Sequence, residues 1–311
     1  MSDHDTIFRG VFTALVTPFT QDGAKVDVKR LKDNIRVQSV AGVKGVVPCG
    51  TTGESPTLSE DEHRLMVETT TELARENDLK VIAGAGANDT KHAIQLHRLA
   101  LEAGADASLQ VNPYYNKPSQ AGLYGHFMAI ADSCDLPIVL YNIPGRTGVC
   151  QSIETIVKLA QHPNIVAIKD ATGGLDLVNQ TVSRTDLAVL SGDDPLTLPM
   201  ASIGGQGVIS VLSNLLPGRV AAMWHAIEQN EWTKARAIHQ ELYPIATNLL
   251  SLDSNPVPLK AALALEGKDT GTLRLPLAPP SEHVIETLRI LLKTSNTKNP
   301  EARNVVGQVS S

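Results

Sequence analysis

The chain has 311 residues, 42% of them hydrophobic and 19% charged, with a net charge of −6. An acidic balance without any long basic run excludes an electrostatic grip on nucleic acid or an anionic membrane, and points to small-molecule ligands. Three scattered cysteines, Cys49, Cys134 and Cys150, exclude a disulfide scaffold or a zinc cluster and fit a reducing cytoplasm.

Residues 1–9 form a polar N-terminal arm, with Asp3, His4 and Asp5 where a signal peptide would need basic and apolar residues. No apolar stretch reaches the roughly 20 residues that span a bilayer, so the expected product is soluble and unexported. Short runs rich in Val, Ile and Ala then alternate with amphipathic stretches, the pattern of repeated βα units on a parallel sheet. Eight runs begin near Val11, Val43, Lys80, Ala107, Pro137, Ile165, Leu187 and Gln206. Between them, Ser59 to Glu76 places Leu65, Thr69 and Leu73 at helical spacing, and Ser59 three residues before Glu62 makes a capping box. Asp89 to Ala103 carries Ile94, Leu96, Leu99 and Leu101 as an apolar side, opened by Asp89 and closed by Gly104.

Eight such units predict an α/β fold, a (β/α)8 TIM barrel over residues 10–230, rather than an open sheet with fewer strands. The remainder predicts a C-terminal helical appendage over residues 231–293, within a helical stretch comprising Arg219 to Gln229, Trp232 to Leu252, Pro256 to Leu265 and Ser281 to Lys293. Residues 294–311 are polar and predict a disordered tail.

In such barrels the working residues lie at the carboxyl ends of the strands. Candidates occur there strand after strand: Thr17, Gly50-Thr51-Thr52-Gly53-Glu54, Asn112 to Tyr115, Tyr141, Lys169 and Gly192-Asp193. Lys169 ends the apolar run Ile165-Val166-Ala167-Ile168, which carries an ammonium into a dehydrated barrel where burial favours the neutral, nucleophilic amine. A salt bridge to Asp170 is the structural alternative. The Gly-Thr-Thr-Gly segment offers N–H groups and hydroxyls suited to a carboxylate or phosphate, or else is only a tight turn. Tyr141 and Arg146 could relay protons and grip a carboxylate, or pack and be solvated in the ordinary way.

Other motifs fail. Gly84-Ala85-Gly86 lacks the third glycine of the dinucleotide fingerprint, no phosphate loop occurs, and the nine histidines form no metalloprotease or deaminase pattern. No cofactor and no metal are expected. Cys49 has no histidine near it in sequence and reads as a packing residue.

From about Gly10 to Leu292 the chain resembles the dihydrodipicolinate synthase and N-acetylneuraminate lyase superfamily. The resemblance rests on four segments in the family's order: Gly50 to Glu54, Asn112-Pro113-Tyr114-Tyr115-Asn116-Lys117-Pro118, Tyr141-Asn142-Ile143-Pro144-Gly145-Arg146-Thr147-Gly148, and Ile168-Lys169-Asp170. It implies that Lys169 forms an imine with pyruvate, whose carboxylate rests on Thr51 and Thr52. It also implies a proton relay of Tyr141, Thr52 and Tyr115, with Tyr115 reaching into a neighbouring subunit of a homotetramer built as a dimer of dimers. The carbonyl of Ile209 assists near the imine, Gly192 and Asp193 belong to the substrate site, and Arg146 binds the carboxylate of aspartate semialdehyde. Gly-Arg-Thr-Gly after Asn-Ile-Pro resembles the synthase branch rather than the sialate lyases. Aldolases acting on sugar acids, or a non-catalytic sensor, are the alternatives. A regulatory lysine site near Ser55, His63, Asn88 and Tyr114 is implied in part, although Glu60, His92 and Pro56 depart from the pattern.

Overall fold

A computed structural model describes residues 7–298. Eight parallel strands follow one another in chain order and close into a barrel. They are β1 (Gly10–Ala14), β2 (Gly45–Val47), β3 (Lys80–Gly84), β4 (Ala107–Val111), β5 (Ile138–Asn142), β6 (Ile165–Asp170), β7 (Ala188–Ser191) and β8 (Gly207–Ser210). Only Lys80, Val111 and Val166 among the strand residues are less than fully buried. A parallel strand covered on both faces has no solvent side, which is why these strands read as unbroken apolar runs.

The helices are α1 (Val28–Val40), α2 (Glu60–Glu76), α3 (Thr90–Ala103), α4 (Gln120–Ala131), α5 (Ile153–Leu159), α6 (Asp176–Arg184), α7 (Thr197–Ser202) and α8 (Pro217–Glu228). Three more follow: α9 (Trp232–Ser251), α10 (Val257–Leu265) and α11 (Glu282–Lys298). By internal contacts the chain divides into a unit holding Lys80–Ile209 and another holding Val11–Leu79 with the segment from Ser210 onward. In the first, α3 packs on α4, α4 on α5 and α5 on α6; in the second, α9 packs on α8, α10 and α11.

The local signals for α2 and α3 hold. Ser59 Oγ accepts from Glu62 N at 3.2 Å while Glu62 returns to Ser59 N at 3.1 Å, and Asp89 caps α3 through His92 N at 2.7 Å. Gly104 ends α3 at φ +80°, a left-handed conformation that glycine adopts freely. The apolar sides hold in part: Thr69, Leu73 and Leu99 are buried as expected, and Leu65 and Leu101 are not. Leu65 is 39% and Leu101 40% exposed, because the buried face of α2 centres on Met66, Thr70 and Leu73, and that of α3 on Ala93, His97 and Ala100. A residue one position off such a row is turned by about 100° towards solvent.

The helix expected to end at Lys293 continues as α11 to Lys298, so the stretch read as a tail begins in helix, and residues 299–311 lie outside the described residues. Of the arm read over residues 1–9, residues 1–6 do too. Among the described residues no helix is long and apolar enough to cross a membrane.

Two histidines are built into the first unit. His97, fully buried, places Nδ1 2.8 Å from Ser108 Oγ on β4, and His126 on α4 places Nδ1 2.9 Å from Thr90 Oγ1. Burial lowers each to a pKa of about 4, with the neighbouring Arg98 adding to the effect at His97 and Asp89 opposing it at His126. Their unfolded value is near 6.5, so as pH falls below it the unfolded chain takes up protons that the folded one refuses. The stabilisation is present above about pH 6.5 and lost progressively towards pH 4, by up to roughly 3 kcal/mol per histidine. Melting temperatures measured from pH 7 to 4.5 are expected to fall more steeply in the wild type than in His126→Asn; equal slopes would contradict the assignment.

Candidate active site

The register of β5 and β6 decides which way Lys169 points. Leu140, Ile168 and Val189 are lateral partners on β5, β6 and β7, and all three belong to the apolar core packed with the helices. Side chains alternate along a strand, so Ala167 and Lys169 take the opposite face, inside the barrel. Lateral partners share a face, and the partner of Lys169 on β5 is Tyr141. An irregularity between Ile138 and Val139 sets this phase at the start of the pair.

Lys169 is 5% exposed, and its Nζ stands 4.2 Å from the centre of the Tyr141 ring. The neighbouring carboxylate is not its counter-ion: Asp170 accepts from Thr172 N at 3.0 Å and from Thr172 Oγ1 at 2.8 Å. Burial pushes the Asp170 carboxyl upward against those two hydrogen bonds. Asp193, after β7, is likewise raised by burial, and the charge of Lys169 works against that rise. Between them, Gly192 gives Lys169 its room. A Cβ there would meet Lys169 Cε at 3.0 Å and Ala171 Cβ at 2.7 Å, so any side chain at position 192 would displace the lysine stem. Ile209 is fully buried in β8.

In the other unit, the turn after β2 is fixed from within. Gly53 N and Ser55 N donate to Gly50 O at 3.1 and 3.3 Å, and Glu54 N donates to Thr51 O at 3.1 Å. The amides of Thr51 and Thr52 lie outside these bonds. The turn could therefore present those two N–H groups, rather than the whole glycine-rich segment, to an anion. Gly53 is required by packing, since a Cβ would come 3.1 Å from Leu15 O and 3.2 Å from Cys49 N, and its carbonyl accepts from Thr17 Oγ1 at 2.6 Å. Cys49 is buried and its thiol is pushed far up by that burial, which leaves it a packing residue.

Thr52 Oγ1 accepts a hydrogen bond from Asn255 Nδ2 at 3.0 Å. With that lone pair taken, the hydroxyl proton remains for donation elsewhere. Beneath the turn, Glu54 Oε1 meets Lys260 Nζ at 2.7 Å, with both side chains fully buried. Lys260 also donates to Thr17 O at 3.0 Å, and Arg274 N donates to Glu54 Oε2 at 3.1 Å. The Arg274 guanidinium then grips Glu62, the capping-box residue of α2, at 2.6 and 2.7 Å and holds its carboxyl below the usual range.

A family model described as the dihydrodipicolinate synthetase family matches residues 7–295. The chain belongs to this family. It is 46% identical over 294 residues to a 4-hydroxy-tetrahydrodipicolinate synthase of Methanothrix thermoacetophila, covering 93% of this chain and 98% of the relative. Among solved structures, the synthase of Methylacidiphilum fumariolicum SolV superposes with a TM-score of 0.91 at 44% identity, covering 96% of this chain and 99% of that one. The chloride-inhibited synthase of Acinetobacter baumannii, complexed with pyruvate, superposes with a TM-score of 0.90 at 40% identity, covering 93% and 99%.

The other residues marked by the family resemblance are placed as follows. Tyr115 has a left-handed backbone, φ +74°, and is 90% exposed, an unusual position for a large aromatic ring. Asn88 Nδ2 donates to Tyr114 O at 3.2 Å, which ties two of the four regulatory candidates together. Ser55 and His63 belong to the other unit, Ser55 opening a short turn and His63 buried on α2. Arg146 sits exposed on the helical turn Pro144–Thr147 that follows β5. Sequence reasoning passed over Asn255, Lys260 and Arg274. The one available signal was Lys260, the lone charge in the otherwise apolar helix α10.

Proposed function

We infer that this family member is a Schiff-base-forming lyase that condenses pyruvate with aspartate 4-semialdehyde to give 4-hydroxy-tetrahydrodipicolinate, in the synthesis of diaminopimelate and lysine. The observation that carries the reading is the buried Lys169 amine over Tyr141, with the adjacent carboxylate engaged by Thr172. Lys169 Nζ attacks the pyruvate ketone and water leaves, giving an imine. Loss of a methyl proton gives the enamine, whose terminal carbon attacks the aldehyde. The amine of the second substrate then displaces Lys169, closing the ring and returning the free lysine.

In this reading Thr51 and Thr52 hold the pyruvate carboxylate, Tyr141, Thr52 and Tyr115 relay protons, and the Ile209 carbonyl with Gly192 and Asp193 completes the substrate site. Arg146 takes the semialdehyde carboxylate by a two-point grip. Incubation with pyruvate and borohydride is expected to add mass to the peptide containing Lys169. Arg146→Ala should keep that adduct while lowering kcat/KM for condensation by about 100-fold, the scale of one lost charge-assisted grip. Equal loss of both activities would contradict the division of roles.

The exposed Tyr115 supports its reaching into a second copy, and the family resemblance extends this to a homotetramer in the cytoplasm; a monomer by sedimentation at assay concentration would remove that part. The Asn88–Tyr114 bond supports a lysine-binding regulatory role for those two residues, and the family resemblance alone adds Ser55 and His63. Millimolar lysine is then expected to lower the initial rate, and an unchanged rate would dismiss the site.

A further inference from the structure

The segment that carries Arg146 leaves the end of β5 at Asn142 and returns to α5 at Ile153. Its only regular structure is one helical turn, with Arg146 N and Thr147 N donating to Ile143 O at 3.1 and 3.0 Å and Gly148 closing it at φ +71°. A single turn has almost no stability of its own. Thr147 is buried and its Oγ1 donates to Ile143 O and Val149 O at 3.0 and 2.9 Å, which ties the turn to the return, Val149 to Ser152.

That return is bound from inside by three fully buried amides, Asn112, Asn142 and Gln151. Gln151 Nε2 donates to Asn112 Oδ1 at 2.5 Å. Asn142 Oδ1 accepts from Gln151 N at 3.1 Å and from Asn112 Nδ2 at 3.0 Å. Asn112 Nδ2 also reaches Val149 O at 3.3 Å, and Asn142 Nδ2 reaches Gln151 O at 3.4 Å. From outside, Gln120 at the start of α4 donates to Cys150 O at 2.8 Å and accepts from Ser152 N at 2.9 Å. The inner network has a fixed sense. Flipping the Asn142 amide would set N–H against N–H, and flipping the Asn112 amide would do the same against Gln151. Asn142 adjoins Tyr141, and Asn112 N donates to Tyr141 O at 3.1 Å. The network therefore joins the backbone that carries Tyr141 to the loop that carries Arg146.

We propose that Gln151, acting through Asn112 and Asn142, is a positioning residue that fixes the Arg146 loop for recognition of the acceptor carboxylate. This rests on the reading of Arg146 as the carboxylate-binding residue. A planar two-point contact tolerates little displacement, so a loop released from its return would weaken acceptor binding before it touched pyruvate chemistry.

A double-mutant cycle on the full-length chain tests this, with Arg146→Ala, Gln151→Met and the double variant assayed for pyruvate trapping and for condensation with aspartate semialdehyde. Gln151→Met is expected to lower kcat/KM for the semialdehyde roughly 10- to 30-fold, mostly through KM, and to trap pyruvate at the wild-type rate. In the Arg146→Ala background the same change should cost less than about twofold, because the group it positions is already gone. A comparable loss in both backgrounds, or no loss in the single variant, would overturn the positioning role alone. A harmless Arg146→Ala would instead overturn the reading of Arg146 and this inference with it. Should Gln151→Met fail to trap pyruvate, Asn112→Leu, which removes the amide from the network without adding a buried charge, is read in the same cycle with the same criteria.

Discussion

Lys169→Met is expected to abolish pyruvate capture and to lower condensation by roughly 10⁴-fold or more, because a thioether cannot form the imine. The substitution is close to isosteric with the lysine stem, so the room left by Gly192 stays filled. Its effect on stability should run the other way. A lysine 5% exposed, standing over an aromatic ring with its neighbouring carboxylate bonded elsewhere, costs desolvation that methionine does not, and the buried Asp193 that loses its opposing charge can take up a proton. The variant should melt at or above the wild-type temperature while being inactive, the trade expected where a strained group serves chemistry. Lys169→Arg supplies the control. It keeps the charge, but a guanidinium stays protonated and cannot form the imine, so it should be as inactive as methionine without the gain in stability. Borohydride trapping, condensation rate and thermal melting on the three proteins read all of this. Residual trapping in Lys169→Met would place the imine on another amine and end the assignment.

What the sequence made legible follows from the range of the interactions involved. Strand positions came through because burial on both faces leaves a continuous apolar run, and the start of α2 because a capping box is complete within Ser59 to Glu62. Lys169 was visible because one charge closing an apolar strand is a local anomaly. Its partner Tyr141 lay on another strand, and only the register joins them. The supports beneath the sites were not legible. Glu54 and Lys260 are 206 residues apart, Asn255 and Thr52 203, and Asn112 and Gln151 39, with no periodicity to link them. Leu65 and Leu101 failed for a different reason. Spacing alone gives a helical row, but which row meets the core is set by packing, and there small or polar residues such as Ala93, Thr70 and His97 won the inward positions.

The second large effect is expected at Lys260. Its pair with Glu54 is fully buried, and removing one partner of such a pair typically costs about 3–5 kcal/mol because the other charge is left without compensation. In Lys260→Met the Glu54 carboxylate would keep Arg274 N as a donor and lose the ammonium, and Thr17 O would lose its donor as well. Asp269, whose carboxyl is raised by burial and held down chiefly by Lys260, would be driven further towards its neutral form. At about 2–4 °C per kcal/mol for a chain of this class, melting should fall by roughly 10 °C. Function should suffer by a separate route. Glu54 holds a left-handed backbone at φ +52° directly after Thr51, Thr52 and Gly53, so loosening its carboxylate loosens the turn that presents the two threonines. The KM for pyruvate should therefore rise while Arg146-dependent selection of the aldehyde is kept. The double variant Glu54→Gln/Lys260→Met removes both charges at once, and should recover a good part of the stability lost by Lys260→Met, since buried ion pairs are far costlier to break than to replace. Were the double variant less stable than Lys260→Met by the full effect of Glu54→Gln, the two side chains would be acting independently, and the turn would owe its shape to its own hydrogen bonds rather than to the charge pair under it.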